Sequence, residues 1–211
     1  MDGKYHISMT TEAIGEHFSS SALKEVVKAN LSQDAVYNLA GLKPYLHYDA
    51  SLFDEANAYV ESERTIVLTS KNPSFQRQAF GRMLHTVQDF YAHSTYVRIW
   101  LAQNGGAEKA NSADIEPMVS DILMHPDLMS GDFKLAFDIF YHIPLINKLA
   151  RKIYIRPNSH EELNLDGPRC GTAFAFAEAA AIKRTRLEYE QLIAQLRETK
   201  GEEAVQRFLK K

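Results

Sequence analysis

The sequence predicts an all-α protein in which one multi-helix bundle covers residues 1–211 as a single domain. Apolar residues recur at helical spacing along most of the 211 residues, and no run alternates apolar and polar residues as a half-buried strand would. An apolar fraction of 45% with 24% charged residues allows a sizeable core and excludes global disorder. From the start and stop signals we expect about seven or eight helices.

Capping residues place the helices of the first half of the chain. Ser, Thr or Pro precedes each apolar pattern, and Asn or Gly follows several of them. A long helix is expected from Pro73 and Ser74 to the Asn104–Gly105 pair, because Pro favours a first turn and Gly a helix end. The earlier helices are expected to begin at Thr10–Thr11, at Ser21 (ending at Asn30), after Ser32 (ending at Gly41) and at Ser51 (running through Val67).

The second half contains helical patterns at residues 114–124 and 133–153. Residues 156–171 are rich in Pro, Gly and Asn, which predicts a loop. Thr172 is placed to begin a final long helix that runs through Leu192, and a short tail helix follows Gly201.

The apolar stretch at residues 133–155 has two interpretations. It is broken by Asp138 and Pro144, which favours a buried helix pair with a kink at the proline. Alternatively it is an interfacial, lipid-facing element, since aromatic and aliphatic residues are followed by Lys148, Arg151 and Lys152.

Charge, cysteine content and the N-terminal sequence exclude several classes of protein. The formal charge of −3 does not favour wholesale electrostatic binding of nucleic acid. The single cysteine, Cys170, excludes an internal disulfide and a cysteine-rich zinc finger. No secretory signal and no stretch of ~20 apolar residues is present, so we expect a cytoplasmic protein, with leaderless export left open.

His85, Asp89 and His93 stand four residues apart on the predicted long helix. Each step of four residues advances about 40° around a helix, so the three side chains share one narrow arc. Their neighbours are apolar, and imidazole with carboxylate is the donor set that zinc prefers in catalytic sites. The alternative is that the three side chains are only solvated or hydrogen-bonded and bind no metal. His6, Asp34 and His47 favour the metal interpretation, because a helical bundle can bring residues of distant helices to one site.

The segments that carry these residues resemble a known family. His6-Ile7 with Thr11-Glu12-Ala13, the HYD at 47–49, LHTVQDFYAHS at 84–94 and LNLD at 163–166 are similar to the HET-C-like proteins. Those proteins are related to the zinc-dependent phospholipase C and single-strand nuclease superfamily. The similarity extends from residue 6 to about residue 185, and it implies an all-α fold with a multinuclear zinc cluster.

The resemblance also implies roles for individual residues. Two or three Zn²⁺ ions would be held, with Asp89 bridging two of them and Asp34 also orienting or deprotonating the attacking water. His160 would join His93 at a further zinc, with Glu178 as a weaker third ligand. The implied metal ligands are His6, Asp34, His47, His85, Asp89, His93, His160 and Glu178.

Two positions depart from the family pattern. Phe174 stands where a histidine is expected near the start of the final helix, and Glu178, four residues later, could compensate. Met1 stands where secreted members have a processed tryptophan. These departures leave open a catalytically impaired, HET-C-like membrane-interacting or toxin-type protein with a structural metal site.

The favoured interpretation is a zinc-dependent phosphodiester hydrolase that resembles phospholipase C, because paired zinc ions suit in-line displacement at phosphorus. The expected partner is a phospholipid or another phosphodiester, with peripheral membrane contact through residues 133–155. A single-strand nuclease is a further alternative. No basic stripe with interleaved aromatic residues is found, so no stable nucleic-acid partner is expected.

Overall fold

Helices and short turns make up the part of the chain that the computed structural model describes, namely residues 1–35, 43–132 and 153–210. These residues form nine α-helices and no β-strand, which confirms the all-α prediction. Two isolated backbone bridges, Ser94–Ser130 and Asp132–Ser159, join loops rather than strands.

The helices of the described ranges follow one another in this order along the chain. They are α1 (Gly3–Ile14), α2 (Ser20–Leu31), α3 (Phe53–Thr69), α4 (Pro73–His93), α5 (Tyr96–Gln103), α6 (Ser120–Leu123), α7 (His160–Leu163), α8 (Ala173–Lys200) and α9 (Glu202–Leu209). Five 3-10 turns stand between them, at Gly15–His17, Ser32–Asp34, Pro44–His47, Ser112–Asp114 and Pro168–Cys170.

Helix α4 lies at the centre of the bundle. It packs against α2, α3 and α8, and 16 of its 21 residues are buried. The side chain of Asn72 accepts hydrogen bonds from the backbone N–H groups of Ser74 and Phe75, and Pro73 fills the first helical position. Because neighbours surround α4, its polar side chains must find partners inside the protein.

The closest approach of α2 to α4 occurs at Gly81. A Cβ atom added at this glycine would stand 2.2 Å from the carbonyl oxygen of Val26 and 2.9 Å from the Cβ atom of Ala29. The first of these obstacles is backbone, which cannot rotate away as a side chain would. The absence of a side chain at residue 81 therefore sets the spacing of the two helices.

Replacing Gly81 by alanine is expected to destabilise the fold by about 1–3 kcal/mol, because overpacking forces α2 and α4 apart. The effect would appear as a lower midpoint in thermal and urea unfolding. Gly15→Ala is a matched control, since its added Cβ would meet only side-chain atoms, at 3.3 Å and beyond. Equal stability of the two variants would contradict this account of the helix crossing.

The first helix begins earlier than the sequence predicts. The start was expected near Thr10, but α1 begins at Gly3 and so contains His6. The carbonyl oxygen of Asp2 accepts the backbone N–H of His6 at 3.4 Å, and His6, Met9 and Ala13 form a buried face at helical spacing. Burial of this face against the bundle stabilises a helix start that lacks a strong capping signal.

The predicted long helix is two helices, α4 and α5, separated at Ser94 and Thr95. The hydroxyl of Ser94 donates to the carbonyl oxygen of Phe90 at 2.5 Å. The hydroxyl of Thr95 donates to the carbonyl oxygen of Asp127 at 2.8 Å and accepts the N–H of Met129 at 3.0 Å. Side-chain bonds of this kind compete with the helical ladder, so α4 ends at His93.

The helix predicted at residues 114–124 was also wrong. Only α6 and the 3-10 turn Ser112–Asp114 form there, because Pro117 has no N–H to donate and interrupts the pattern. The helices predicted from Ser21, Ser51 and Thr172 and after Gly201 are confirmed as α2, α3, α8 and α9.

Two predicted helices lie largely outside the described residues. Of the helix predicted from Ser32 to Gly41, the structure describes residues 32–35, which contain a 3-10 turn to Asp34. Of the pattern at 133–153, it describes only Ile153. No helix of the described ranges is long and apolar enough to cross a membrane.

Candidate metal centre

Asp89, a residue of α4, lies at the centre of a cluster of buried polar side chains. One of its carboxylate oxygens, Oδ2, is 2.9 Å from Nδ1 of His47 and 3.0 Å from Nε2 of His85. The other oxygen, Oδ1, is 3.2 Å from Nε2 of His6. All four residues are buried, although they come from α1, the Pro44–His47 turn and α4. The structure thus brings four of the predicted ligands together.

Three groups of side chains in the described ranges could each hold a metal ion, since one ligand atom from every member lies within 4.8 Å of the others. His85 belongs to two groups, which joins them into one centre. The groups are His6, His85 and Asp89; Asp34, His47 and His85; and Asp49, His93 and His160.

A hydrogen-bonded amide fixes the ring of His6. Its Nδ1 lies 2.7 Å from Oε1 of Gln88, and Nε2 of Gln88 donates to the hydroxyls of Thr10 and Thr185 at 3.0 and 3.1 Å. Because the Gln88 amide nitrogen is used elsewhere, its oxygen must accept, so His6 carries its proton on Nδ1. Nε2 of His6 is then the lone-pair nitrogen and faces Asp89.

Two more rings are held in the same way. Nδ1 of His85 lies 3.3 Å from Oδ1 of Asn30, whose amide nitrogen donates to Gln88 at 3.0 Å. Nδ1 of His93 lies 2.9 Å from the carbonyl oxygen of His47. Metal-binding histidines commonly donate their second ring N–H to an oxygen of this kind, which orients the ligand nitrogen.

The unpartnered nitrogens fit a bound cation. Among the described residues, the buried Nε2 atoms of His6 and His47 have no hydrogen-bond partner. Burial lowers the pKa of His85 well below its usual range, which keeps this ring in the neutral form that binds metal. Neutral imidazole with carboxylate suits zinc and other first-row metals.

Four aspartate side chains lie around the buried cluster: Asp34, Asp49, Asp89 and Asp166. Burial opposes ionisation of Asp89, but the Met1 ammonium, 2.6 Å from its Oδ1, holds its pKa well below the usual range. Asp166 is similarly ionised, with Oδ1 3.2 Å from the Met1 nitrogen. Anionic oxygens gathered in this way favour the binding of divalent cations.

The third group contains a ligand that the sequence did not predict. Oδ1 of Asp49 lies 3.1 Å from Nδ1 of His160 and 3.6 Å from Nδ1 of His93. Burial opposes protonation of His160, but Asp49 and Asp166 raise its pKa to about 9. The position of Asp49, two residues after His47, was the available signal. Asp166 was also missed as a site residue, although Nε2 of His93 is 3.1 Å from it.

Asp34 and Glu178 occupy different surroundings from the buried ligands. Asp34 Oδ1 is 3.5 Å from Nε2 of His85, and its side chain is 30% exposed. Glu178 is half-buried on α8 and belongs to none of the three groups. Phe174, at the position expected for a histidine, is buried with its ring 4.7 Å from that of Tyr5.

The fold and the site define an all-α protein with a buried candidate metal centre of histidine and aspartate side chains. The sequence model of the VWA7 N-terminal domain matches residues 3–115, which is more than half of the chain. The chain belongs to the VWA7 N-terminal domain family. The match includes the first two metal groups, and it ends before His160 of the third.

The similar curated proteins are much longer than this chain. The von Willebrand factor A domain-containing protein 7 of Rattus norvegicus is 34% identical over 92 residues, which are 40% of this chain and 10% of that protein. The human protein of the same name is 33% identical over 82 residues, which are 37% of this chain and 9% of that protein. The matches thus span about a tenth of these relatives. No solved structure matches the chain.

Proposed function

We propose that the protein is a zinc-dependent phosphodiester hydrolase with a phospholipase C-like activity. The observation that carries the proposal is that two of the metal groups share His85. The third group includes His93, which lies on the same face of α4. Two or three adjacent divalent cations are a common device for hydrolysing phosphodiesters. The resemblance of the same segments to HET-C-like proteins supports this reaction class.

The residues divide into metal-holding and proton-handling roles. When bound at groups of this kind, zinc ions acidify a water molecule and neutralise charge on a phosphoryl group. His6, His47, His85 and Asp89 are buried and would hold the ions. Asp34 is reachable from solvent, and its pKa is raised by burial and by the Asp89 carboxylate. We assign to Asp34 the acceptance of a proton from the attacking water.

Exposed apolar residues support a phospholipid as the substrate. Ile153 is 73% exposed, Tyr154 59% and Ile155 38%. The chain returns from them to the metal centre within a few residues, since the bridge of Asp132 to Ser159 directly precedes His160. An apolar, aromatic surface close to the centre suits contact with a lipid interface.

Asp34→Asn tests the reaction. In zinc-loaded protein we expect kcat/KM for bis(p-nitrophenyl) phosphate and for short-chain phosphatidylcholine to fall by about 10²-fold or more, as for loss of a general base. Asp114→Asn is the matched control, because Asp114 is exposed on a 3-10 turn and belongs to none of the three groups.

The outcomes separate the competing functions. Turnover that chelation abolishes and zinc restores would support the proposal. Bound zinc without turnover of any diester would overturn it and favour a membrane-interacting protein with a structural metal site. Cleavage of single-stranded DNA with no action on phosphatidylcholine would replace phospholipase activity by nuclease activity.

Replacing Gly131 by alanine is expected to weaken the third metal group selectively. An added Cβ would stand 2.5 Å from Cα and 2.7 Å from the backbone nitrogen of His160, so this ligand must move. We expect the zinc content to fall by one equivalent, with the groups around Asp89 retained. Gly15→Ala is the control, because the added Cβ there meets only side-chain atoms, at 3.3 Å and beyond. Unchanged zinc content in Gly131→Ala would argue against a metal at His160.

A further inference from the structure

A cavity of about 410 Å³ lies against the face of α4 that points away from the metal groups. Val87, Phe90 and Tyr91 line it. At 100° per residue these side chains project roughly opposite to the arc of His85 and Asp89. The volume falls within the range of about 300–1,000 Å³ that is usual for small-molecule sites. The cavity is therefore separate from the candidate metal centre.

Aromatic rings form one wall of the cavity. The ring of Phe90 lies 5.1 Å from that of Tyr48 and 6.1 Å from that of Phe53. The hydroxyl of Tyr48 donates to Oδ1 of Asn57, and the hydroxyl of Tyr91 donates to a backbone carbonyl oxygen, both at 2.5 Å. Because both hydroxyls are used, the wall presents mainly apolar surface to an occupant.

One buried ion-pair cluster stands beside this apolar wall. Arg184 lines the cavity, and its Nε and Nη2 atoms lie 2.6 and 2.5 Å from Oε1 of Glu188. Arg64 donates to the other oxygen of Glu188, which is 1% exposed. Two guanidinium groups thus share one buried carboxylate. The exposed Glu61 offsets part of this charge at the solvent side of Arg64.

Donors of both arginines lack a good acceptor. Nη1 of Arg184 contacts the thioether sulfur of Met118, which accepts hydrogen bonds only weakly. Nη1 of Arg64 is buried and has no hydrogen-bond partner in the described ranges. An anionic oxygen that displaced the half-exposed Met118 side chain would supply Arg184 with a charge-assisted bond.

We infer that the cavity binds a monoanionic amphiphile, whose carboxylate meets Arg184 and whose alkyl chain lies against the aromatic wall. The guanidinium groups of Arg64 and Arg184 outnumber the one buried carboxylate between them, which favours an anion over a cation. Asp54, the acid at the rim, is exposed, and its charge is screened by water. The inference does not depend on the proposed hydrolase activity, since no member of the three metal groups lines the cavity.

Calorimetric titration of the whole chain with decanoate tests the inference. We expect one saturable site, and about tenfold weaker binding of neutral decanol, as for loss of a single charged hydrogen bond. Decyltrimethylammonium, of equal chain length and opposite charge, should bind more weakly still. Each titration is run with chelator and with zinc, and the decanoate affinity should be the same in both.

Two variants locate the site. Arg184→Gln is expected to weaken decanoate about tenfold while leaving decanol unchanged, and the exposed Arg197→Gln on the same helix is the control. Leu123→Trp, at a half-buried lining position, should weaken both ligands by filling the cavity. If Arg184→Gln fails to fold, the Leu123→Trp variant still shows whether decanoate occupies this cavity.

Three results would overturn the inference. The first is the absence of decanoate binding to the folded protein. The second is equal or tighter binding of the cationic amphiphile, which would mean that the aromatic wall and Asp54 select a cation. The third is evidence that decanoate binds at another place. Binding that requires zinc would place it at the metal centre, and binding that is unchanged in Leu123→Trp would place it outside the cavity.

Discussion

Replacing Asp89 by asparagine is expected to abolish metal binding at the two groups that share His85 and to lower the free energy of unfolding of metal-free protein by about 3–5 kcal/mol. The Asp89 side chain is fully buried and contacts the Met1 ammonium, His6, His47 and His85. Asparagine has the same size, so loss of the charge alone leaves these buried groups without their common partner. Zinc content by mass spectrometry and midpoints of urea unfolding measure both effects.

Asp121→Asn is the matched control for Asp89→Asn. Asp121 is an exposed aspartate in the first turn of α6, and its replacement should leave zinc content and stability close to those of the original protein. If Asp89→Asn retains both its zinc and its unfolding midpoint, the Asp89 carboxylate is not a metal ligand of this centre.

Zinc is expected to stabilise the chelator-treated protein strongly. A ligand that binds only the folded state contributes about 4 kcal/mol at a thousand times its Kd. For a chain of this length that corresponds to a rise in Tm of about 8–16 °C. Differential scanning calorimetry with increasing zinc measures the shift. The hard, oxygen-seeking Mg²⁺ should have little effect, because imidazole dominates the donor set.

His85→Ala should remove most of the zinc-dependent rise in Tm, because this residue belongs to two of the three groups. The comparison is with His125→Ala, a partly exposed histidine outside the groups. A zinc response that is identical in the two variants would mean that the ion binds somewhere other than this centre, and the proposed function would lose its physical basis.

The fold was largely predictable because each helix carries its own local signals. Pro73 begins α4, and Gly201 separates α8 from α9, as the sequence indicates. The predictions failed where tertiary contacts overrode local preference. Burial of His6 and its neighbours moved the start of α1 to Gly3, and hydrogen bonds of the Thr95 hydroxyl to Asp127 and Met129 helped to divide the long helix.

The ligands on α4 were predictable from the sequence, and those contributed by other segments were less so. The spacing of His85, Asp89 and His93 implies a shared arc wherever the helix lies. The resemblance assigned ligand roles to His6, Asp34, His47 and His160, and the structure brings all four into the metal groups. Glu178, which the same resemblance suggested, is in none of them.

The sequence by itself determined the helical architecture and the row of potential ligands on α4, because both follow from the fixed geometry of a helix. Only the tertiary structure decided that Asp49 joins His93 and His160, that Gln88 and Asn30 orient the rings, and that a cavity lies behind α4 beside Arg184. These contacts join residues far apart in the chain. Their geometry depends on how the helices pack, and local spacing does not encode that.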